Sequence, residues 1–274
     1  MRATSVHSED GAALISAVTI HLQRCRTGNS NYLTAQQVAL FFGGIQRLSC
    51  SSPVAIALLN EGRRILRCSE VLPLDVVSRV LFGLRNLRCD SYEVRQLLAV
   101  VGDLISRSEG SATPLEAAMM LNGLRSFSSE TEEVRIILRK LVRFLDPSTV
   151  SPSYNVNGGI ASMATQGLQR LLNSSPEVTK IVEYITRLLQ ACRSPLQFQE
   201  VNMILGGLRV LDPKSPGASS LLREIARLVS EGTILPFTEE QEQEIMANMG
   251  LLRHNVQPEF LELIRCVKRK AAVG

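Results

Sequence analysis

The sequence predicts an all-α protein, a right-handed α-solenoid of about six antiparallel helix pairs. Short segments such as LFGLRNL and LNGLRSF recur along the chain, with glycines 39 to 44 residues apart. A second block, such as YEVRQLL, follows the first five glycines at a nearly constant offset. No segment alternates apolar and polar residues as a strand does, so the repeating unit is helical. The glycines are Gly44, Gly83, Gly123, Gly167, Gly207 and Gly250, and the second blocks align on Val54, Val94, Val134, Val178 and Ala218.

Each repeat is predicted to contain two amphipathic helices. In the second repeat the apolar residues of both helices follow a period of 3.6 residues, which places them on one stripe per helix. The first helix carries Val77, Val80, Leu81, Leu84 and Leu87, and the second carries Val94, Leu97, Leu98, Val101, Leu104 and Ile105. Helix starts are predicted at Ser52-Pro53, Ser175-Pro176 and Ser215-Pro216, and at the capping-box segment from Thr113 to Glu116.

The repeats also predict how the chain is organised. We expect residues 1–32 to form an N-terminal tail and a capping helix near residues 12–24. Residues 146–159 contain two prolines, two glycines and two asparagines and are expected to form a surface loop. The last repeat is degenerate, as terminal capping repeats tend to be. The six predicted helical hairpins span about 33–71, 72–111, 112–154, 155–194, 195–234 and 235–274.

The recurrent glycine needs a physical reason. It lies at one edge of the apolar stripe, and glycine inside a helix costs about 1 kcal/mol relative to alanine. We therefore expect the missing side chain to let a neighbouring helix approach closely at each of the six positions.

Enzyme signatures are scarce, and we expect no catalysis, no cofactor, no metal and no small-molecule substrate. The chain has no G-x-S-x-G, H-E-x-x-H or phosphate-loop motif. Its three histidines, at positions 7, 21 and 254, are far apart in the sequence. The acidic run Glu239, Glu240, Glu242 and Glu244 opens a predicted helix, where carboxylates favour the positive end of the dipole.

Composition indicates an intracellular protein without membrane insertion. No apolar run approaches the roughly 18–20 residues that a bilayer crossing needs. The six cysteines show no metal-ligand spacing and are expected to be free thiols in a reducing compartment. A mitochondrion, a plastid and the cytoplasm all fit this expectation. The net charge of +4 permits nucleic-acid binding without requiring it.

Stacked repeats align equivalent polar residues in columns, and two columns are candidate binding sites. The first column lies two residues after each of the first five glycines, at the border of the apolar stripe, with its heads expected to be free for solvent. The second lies nine residues after each second-block position and is expected to be exposed. The first column is Gln46, Arg85, Arg125, Gln169 and Arg209; the second is Arg63, Asp103, Arg143, Arg187 and Arg227.

These columns have two interpretations. Arginine is a good helix former whose aliphatic stem covers seams between helices, so the columns can be purely structural. Alternatively, guanidinium and amide heads, one per repeat, form a ladder that suits the phosphates and base edges of an extended single strand. The absence of tryptophan and the scarcity of aromatic residues, 4% of the chain, weigh against base stacking.

The tandem units resemble organellar RNA-binding repeat proteins of the octotricopeptide, heptatricopeptide and pentatricopeptide type. The matching stretches are Leu81–Leu87 with Glu93–Leu98, Leu121–Phe127 with Glu133–Leu138, and Pro195–Leu211. The resemblance implies a helical-repeat fold and single-stranded RNA as the partner. The tryptophan-containing octotricopeptide hallmark is absent. Armadillo and HEAT repeats share the period, and their resemblance implies protein partners.

The sequence thus leaves two functional hypotheses. The first is a non-enzymatic protein that grips single-stranded RNA in organellar RNA metabolism through the two columns. The second is a protein–protein scaffold or structural subunit of a large organellar assembly, such as a ribosome or respiratory complex. A continuous positive groove favours RNA, whereas an exposed apolar strip on one face favours a scaffold.

Overall fold

The computed structural model is mostly helical in its described part and contains no strand there. It describes residues 13, 16–20, 33–46, 53–69, 71–87, 91–146, 150, 155–171, 175–209, 211–212, 216–231, 237–251 and 258–272. Residues 13 and 16–20 are helical, and the remainder of the predicted capping helix lies outside the described residues.

Twelve helices follow in six successive pairs along the rest of the described chain. The first helices of the pairs are α1 (Ala35–Ile45), α3 (Leu74–Leu84), α5 (Pro114–Gly123), α7 (Gly158–Gln166), α9 (Phe198–Leu208) and α11 (Glu239–Gly250). The second helices are α2 (Pro53–Cys68), α4 (Tyr92–Arg107), α6 (Glu132–Leu141), α8 (Pro176–Ala191), α10 (Pro216–Glu231) and α12 (Pro258–Ala272).

Local capping chemistry fixes several of the helix starts. Thr113 begins α5 with the predicted capping box: its hydroxyl accepts from the Glu116 N–H at 3.3 Å, and the Glu116 carboxylate accepts from the Thr113 N–H at 2.8 Å. Ser175 caps α8 through the Val178 N–H, also as predicted. Both arrangements satisfy N–H groups that have no partner within the helix. The predicted caps at Ser52 and Ser215 lie outside the described residues.

The helices stack in two parallel rows, which confirms the all-α solenoid. Each odd-numbered helix packs on the next odd-numbered helix, from α1 to α11, and each even-numbered helix packs on the next even-numbered one, from α2 to α12. We call these the odd row and the even row. Between the rows lies a continuous core of leucine, valine and isoleucine, of which Leu84, Leu97 and Leu208 are fully buried. The right-handed sense and the sequence-based domain boundaries stay predictions.

The recurrent glycine brings the backbones of the odd row into contact. A Cβ added at Gly83 would lie 2.2 Å from the carbonyl oxygen of Phe42 on the preceding helix. At Gly123 it would lie 2.4 Å from the oxygen of Leu81. The corresponding distances are 2.5 Å at Gly167 and 2.0 Å at Gly207, so the predicted reason for the glycine is confirmed at these four positions.

The same expectation is wrong at the two ends of the row. A Cβ at Gly44 or Gly250 would meet no described atom within 4 Å. Gly44 belongs to α1, the first helix of the described odd row, so no earlier described odd-row helix lies against it. In α11 it is Asn248 that faces the preceding helix: its amide donates to Asn202 Oδ1 at 3.1 Å and accepts from Arg209 at 2.7 Å. The last repeat is therefore aligned two residues earlier than its glycine indicates.

The predicted loop at residues 146–159 is shorter than the sequence indicates. Gly158 and Gly159 belong to the first turn of α7. Asn157 caps that turn by accepting from the Ile160 N–H at 3.0 Å. Because an asparagine cap and two glycines also occur in turns, the sequence pattern does not distinguish a loop from a helix start. Residues 147–149 and 151–154 lie outside the described part.

Candidate protein-binding face

The first predicted column joins neighbouring repeats of the odd row. Arg125, at the end of α5, donates to the carbonyl oxygen of Arg85 at 3.3 Å and to the side chain of Asn86 in the preceding repeat. It also donates to Gln166 Oε1 at 2.8 Å in the following repeat. The expectation of a free head is wrong for Arg125, because all three contacts lie at the seam where the repeats meet.

The other members of this column differ in exposure. Arg85 stacks its guanidinium 3.8 Å from the centre of the Phe82 ring and donates to the Phe82 carbonyl oxygen at 2.9 Å. Arg209 is exposed and donates to Asn248 in the next repeat. Gln46 and Gln169 are half-buried. The structure thus places the column along one edge of the odd row, with much of its hydrogen-bonding capacity used inside the protein.

The second column lies on the even row and is unevenly exposed. Arg143 and Arg187 are exposed. Arg143 contacts the Lys140 carbonyl and the Phe144 ring, and Arg187 donates to Gln190. Arg63 is half-buried, and Asp103 is exposed and lies 3.8 Å from the Lys140 amine. Arg227 is half-buried and donates to the Glu224 carboxylate at 2.8 Å and to the Leu189 carbonyl oxygen at 3.2 Å.

The even row is joined by ion pairs that the sequence analysis did not identify. In three helices a glutamate of the first turn faces an arginine of the preceding even helix. The pairs are Glu133 with Arg95 at 3.1 Å, Glu177 with Arg139 at 3.8 Å, and Glu259 with Arg223 at 3.2 Å. Each carboxylate is less exposed than its arginine. Positive charge on this row is thus interleaved with negative charge, one carboxylate at each of these seams.

One buried charge stands out on α2. The carboxylate of Glu61, 6% exposed, accepts a hydrogen bond from Arg64 Nε at 2.7 Å. This hydrogen bond raises the pKa of the Arg64 guanidinium above its ordinary value. The pair lies in a surface hollow of about 460 Å³ that Arg63 also lines. Arg67 lines it as well, so three arginines face the single carboxylate of Glu61 and the hollow carries a net positive charge.

Methionine recurs on the odd row at a position that the sequence analysis missed. Met119, Met163 and Met203 lie four residues before Gly123, Gly167 and Gly207, in three successive odd-row helices. All three are half-buried. Their spacing repeats that of the glycines, 44 and 40 residues, so a search for apolar columns as well as polar ones would have found them.

Uncharged residues accompany these methionines along their helices. Leu115, one turn before Met119, is 49% exposed. We define the methionine face as eight residues of α5, α7 and α9 that are exposed or half-buried on the odd row: Leu115, Met119, Gly159, Met163, Gln166, Gln199, Met203 and Gly206. None of the eight is ionisable.

At both ends of this face, charged residues occupy the positions that uncharged residues hold in its middle. On α3, Arg79 occupies the position of the methionine and is exposed. On α11, counted from Asn248, the equivalent residue is Glu244. The α11 helix carries the predicted acidic run and contains no basic residue. The eight residues of the face are thus uncharged, with the Arg79–Asp75 ion pair on α3 at one end and glutamates on α11 at the other.

Other kinds of site are scarce in the described part of the chain. Among those residues, no group of three or more histidine, cysteine, aspartate or glutamate side chains could hold a metal ion. No helix in the same part is long and apolar enough to cross a membrane. The described cysteines Cys68, Cys192 and Cys266 carry free thiols. No known protein family model matches the chain, and a search of curated proteins finds no match either.

Proposed function

We propose that the chain is a non-enzymatic scaffold that binds a protein partner on the methionine face. The observation that carries this proposal is the partly exposed, uncharged column of Met119, Met163 and Met203 across three stacked repeats. Isolated exposed apolar residues are ordinary, whereas a contiguous apolar patch marks an interaction surface.

Methionine suits such a surface for a physical reason. Its unbranched, polarisable side chain adapts to irregular apolar partners, and methionine is frequent on surfaces that bind varied protein segments. Between the methionines, polar side chains lie over the two glycines: a Cβ at Gly159 would be 3.7 Å from Glu200 Oε1, and one at Gly206 would be 3.2 Å from Gln169 Nε2. Gln199 is exposed and can hydrogen-bond a partner without adding charge, whereas the Gln166 oxygen already accepts from Arg125 and Asn122.

The packing of the two rows supports a concave position for this face. Backbones touch along the odd row, for example at Gly123 and Leu81. In the even row, a Cβ at Gly102 would meet only the side chains of α6, with Ile137 nearest at 3.6 Å. Two joined rows with unequal spacing curve toward the closer-spaced row, and the concave surface of a solenoid is its usual binding surface.

RNA binding stays a second candidate, and one observation favours it. Arg143 and Arg187 have exposed guanidinium groups on the even row. Within α6, basic side chains outnumber acidic ones. Against it, the first column is engaged in repeat-to-repeat hydrogen bonds, and the even-row seams carry carboxylates. A phosphate ligand would have to displace the protein contacts of Arg125 and accept the repulsion of Glu133 and Glu177.

A retention experiment separates the two candidates. Three immobilised proteins are compared: wild type, the triple variant M119Q/M163Q/M203Q, and the double variant R143Q/R187Q. Each is exposed to an extract of the cells that produce the protein, at low salt and at about 1 M salt, where the Debye length is roughly 3 Å. We expect a discrete protein to be retained at both salt concentrations by wild type and R143Q/R187Q, and lost with the methionine variant.

The opposite pattern would contradict the scaffold. If wild type retains RNA at low salt, releases it at high salt, and R143Q/R187Q retains none, the RNA candidate is correct. Glutamine has nearly the helix propensity of methionine and arginine, so folding should be preserved, and circular dichroism checks this.

A further inference from the structure

We propose that the hollow on α2 binds a phosphate monoester, a group with two negative charges, through Arg63, Arg64 and Arg67. The site belongs to the even row, whereas the methionine face belongs to the odd row. The inference therefore goes beyond the proposed function and does not depend on it.

The hollow gathers hydrogen-bond donors from one side of a single helix. Asn60, Arg63, Arg64 and Arg67 follow the i, i+3, i+4, i+7 spacing that places side chains on one face of a helix. All four line the same hollow of about 460 Å³. A guanidinium group presents a planar pair of N–H donors that matches two phosphate oxygens at once, and the asparagine amide adds a further donor. The hollow thus supplies the donor types that suit a phosphate group.

Glu61 holds one of these arginines in position. Its carboxylate is 6% exposed, and its Oε1 accepts hydrogen bonds from both Nε and Nη2 of Arg64. The third nitrogen of that guanidinium, Nη1, takes no part in the pair. Because a buried carboxylate is costly unless it is paired, the pair orients Arg64 before any ligand arrives. Glu61 is therefore a positioning residue.

The other two arginines of the hollow are not engaged. Within the described part of the chain, the side chains of Arg63 and Arg67 make no hydrogen bond and no ion pair. Three guanidinium groups and one carboxylate give the lining a net charge of +2. A phosphate monoester carries a charge of about −1.5 to −2 at neutral pH, so the two charges match.

A second hollow, between α10 and α12, shows how arginines are neutralised elsewhere on the even row. Its volume is about 520 Å³, and it is also lined by three arginines. Each of them is bonded to its own glutamate, in the pairs Arg223–Glu259, Arg227–Glu224 and Arg265–Glu262. Of these two hollows, only the one on α2 leaves positive charge without a carboxylate.

The surroundings favour one phosphate group over a nucleic-acid strand. The next member of the second column is Asp103 on α4, which is exposed and negative, so the charge of Arg63 does not continue along that column. The described lining contains no aromatic side chain on which a base could stack. A backbone phosphate diester also carries only one charge, which matches the hollow less well than the two charges of a monoester.

Isothermal titration calorimetry of the full chain at low salt tests the site. The probes are methyl phosphate, a monoester, and dimethyl phosphate, the corresponding diester. At about pH 8 the monoester has lost its second proton. We expect methyl phosphate to bind about tenfold more tightly than dimethyl phosphate, because it carries twice the charge.

Two double variants assign the contacts. R63Q/R67Q should weaken methyl phosphate binding by about tenfold or more, since it removes two charged donors from the hollow. The matched control R143Q/R187Q removes the same charge from exposed even-row positions outside the hollow and should leave the affinity unchanged. Circular dichroism checks that both variants fold.

Phosphoserine identifies what carries the phosphate. It is titrated as the free amino acid and within a short peptide that has no other charge. Tighter binding of the peptide indicates a phosphorylated protein segment, whereas equal or weaker binding indicates a small phosphorylated molecule. Either result upholds the site if R63Q/R67Q weakens it.

Three outcomes would overturn the inference. They are no binding of methyl phosphate, equal binding of dimethyl phosphate, and an equal loss in the two double variants, which would show a diffuse effect of net charge. None of them bears on the methionine face. Conversely, M119Q/M163Q/M203Q should bind methyl phosphate as wild type does, even if it loses the cellular protein partner.

Discussion

Gly123 lies directly against the carbonyl group of Leu81, so that a Cβ at position 123 would lie 2.4 Å from the carbonyl oxygen. This contact brings the backbones of α5 and α3 together, and three further glycines repeat it along the odd row. Glycine Cα–H groups at such helix seams also form weak hydrogen bonds with carbonyl oxygens. In the even row, Gly102 and Gly217 face side chains of the neighbouring even-row helices and not their backbones.

The glycine contact predicts opposite effects of alanine at two positions. Gly123→Ala should lower the free energy of unfolding by roughly 1–3 kcal/mol, because the helices must separate to admit the methyl group. Gly43→Ala should raise it by about 0.5–1 kcal/mol, since Gly43 is exposed, lies within α1 and has no described atom in the way. Urea denaturation of both variants measures the difference, and equal effects would show that the backbone contact is absent.

Arg125 is predicted to act as a structural clamp. Arg125→Ala leaves the Arg85 carbonyl, the Asn86 amide and Gln166 without this donor, and we expect the free energy of unfolding to fall by about 1–3 kcal/mol. Arg187→Ala, at an exposed arginine of the second column, should change stability by less than about 0.5 kcal/mol. Thermal unfolding of the two variants tests this, and an equally small effect at both positions would contradict the clamp.

The clamp changes how RNA binding should be tested. The combined substitution of Arg85, Arg125 and Arg209 is the direct test of the first column. Because Arg125 joins three repeats, we expect that triple alanine variant to lose stability along with any ligand. R143Q/R187Q removes exposed charge without breaking a seam. If RNA is the partner, the log–log salt slope of single-stranded RNA binding should fall by about 0.7 for each phosphate that the variant no longer neutralises. An unchanged slope counts against RNA.

The ion pair between Arg95 and Glu133 should contribute little to stability. The arginine side chain is 50% exposed and the glutamate 16%, and exposed pairs typically measure about 0.2–1 kcal/mol. A double-mutant cycle of Arg95→Gln and Glu133→Gln should give a coupling in that range that declines with added salt. A coupling well above it would mean that this seam, and not the apolar core, controls even-row stacking.

Much of the fold was predictable from local sequence. Periodic apolar residues and caps such as Thr113 and Ser175 specify helices within a few residues, because capping and amphipathicity act over one or two turns. The even repeat spacing then predicted pairs of helices, and the glycine predicted close packing. The local patterns were wrong at Gly44 and Gly250, where no described backbone lies against the glycine, and at Gly158, a predicted loop residue that begins α7.

The candidate site was less predictable. Arginine columns are plausible ligand sites because guanidinium groups suit phosphates, yet Arg125 uses its donors on residues about 40 positions away in both directions. The methionines have the same periodicity but resemble ordinary core residues in a sequence. Their partial exposure depends on how the neighbouring helices of the odd row lie around them.

By itself, the sequence determined that this protein is all-α and built from stacked pairs, since the helical period and the repeat length are properties of the chain alone. Only the tertiary structure decided which arginines are engaged, that Asn248 takes the place of the last glycine, and that an uncharged methionine face is left open. Those features arise from contacts between repeats, where hydrogen-bond partners and burial are supplied by distant residues that no local pattern encodes.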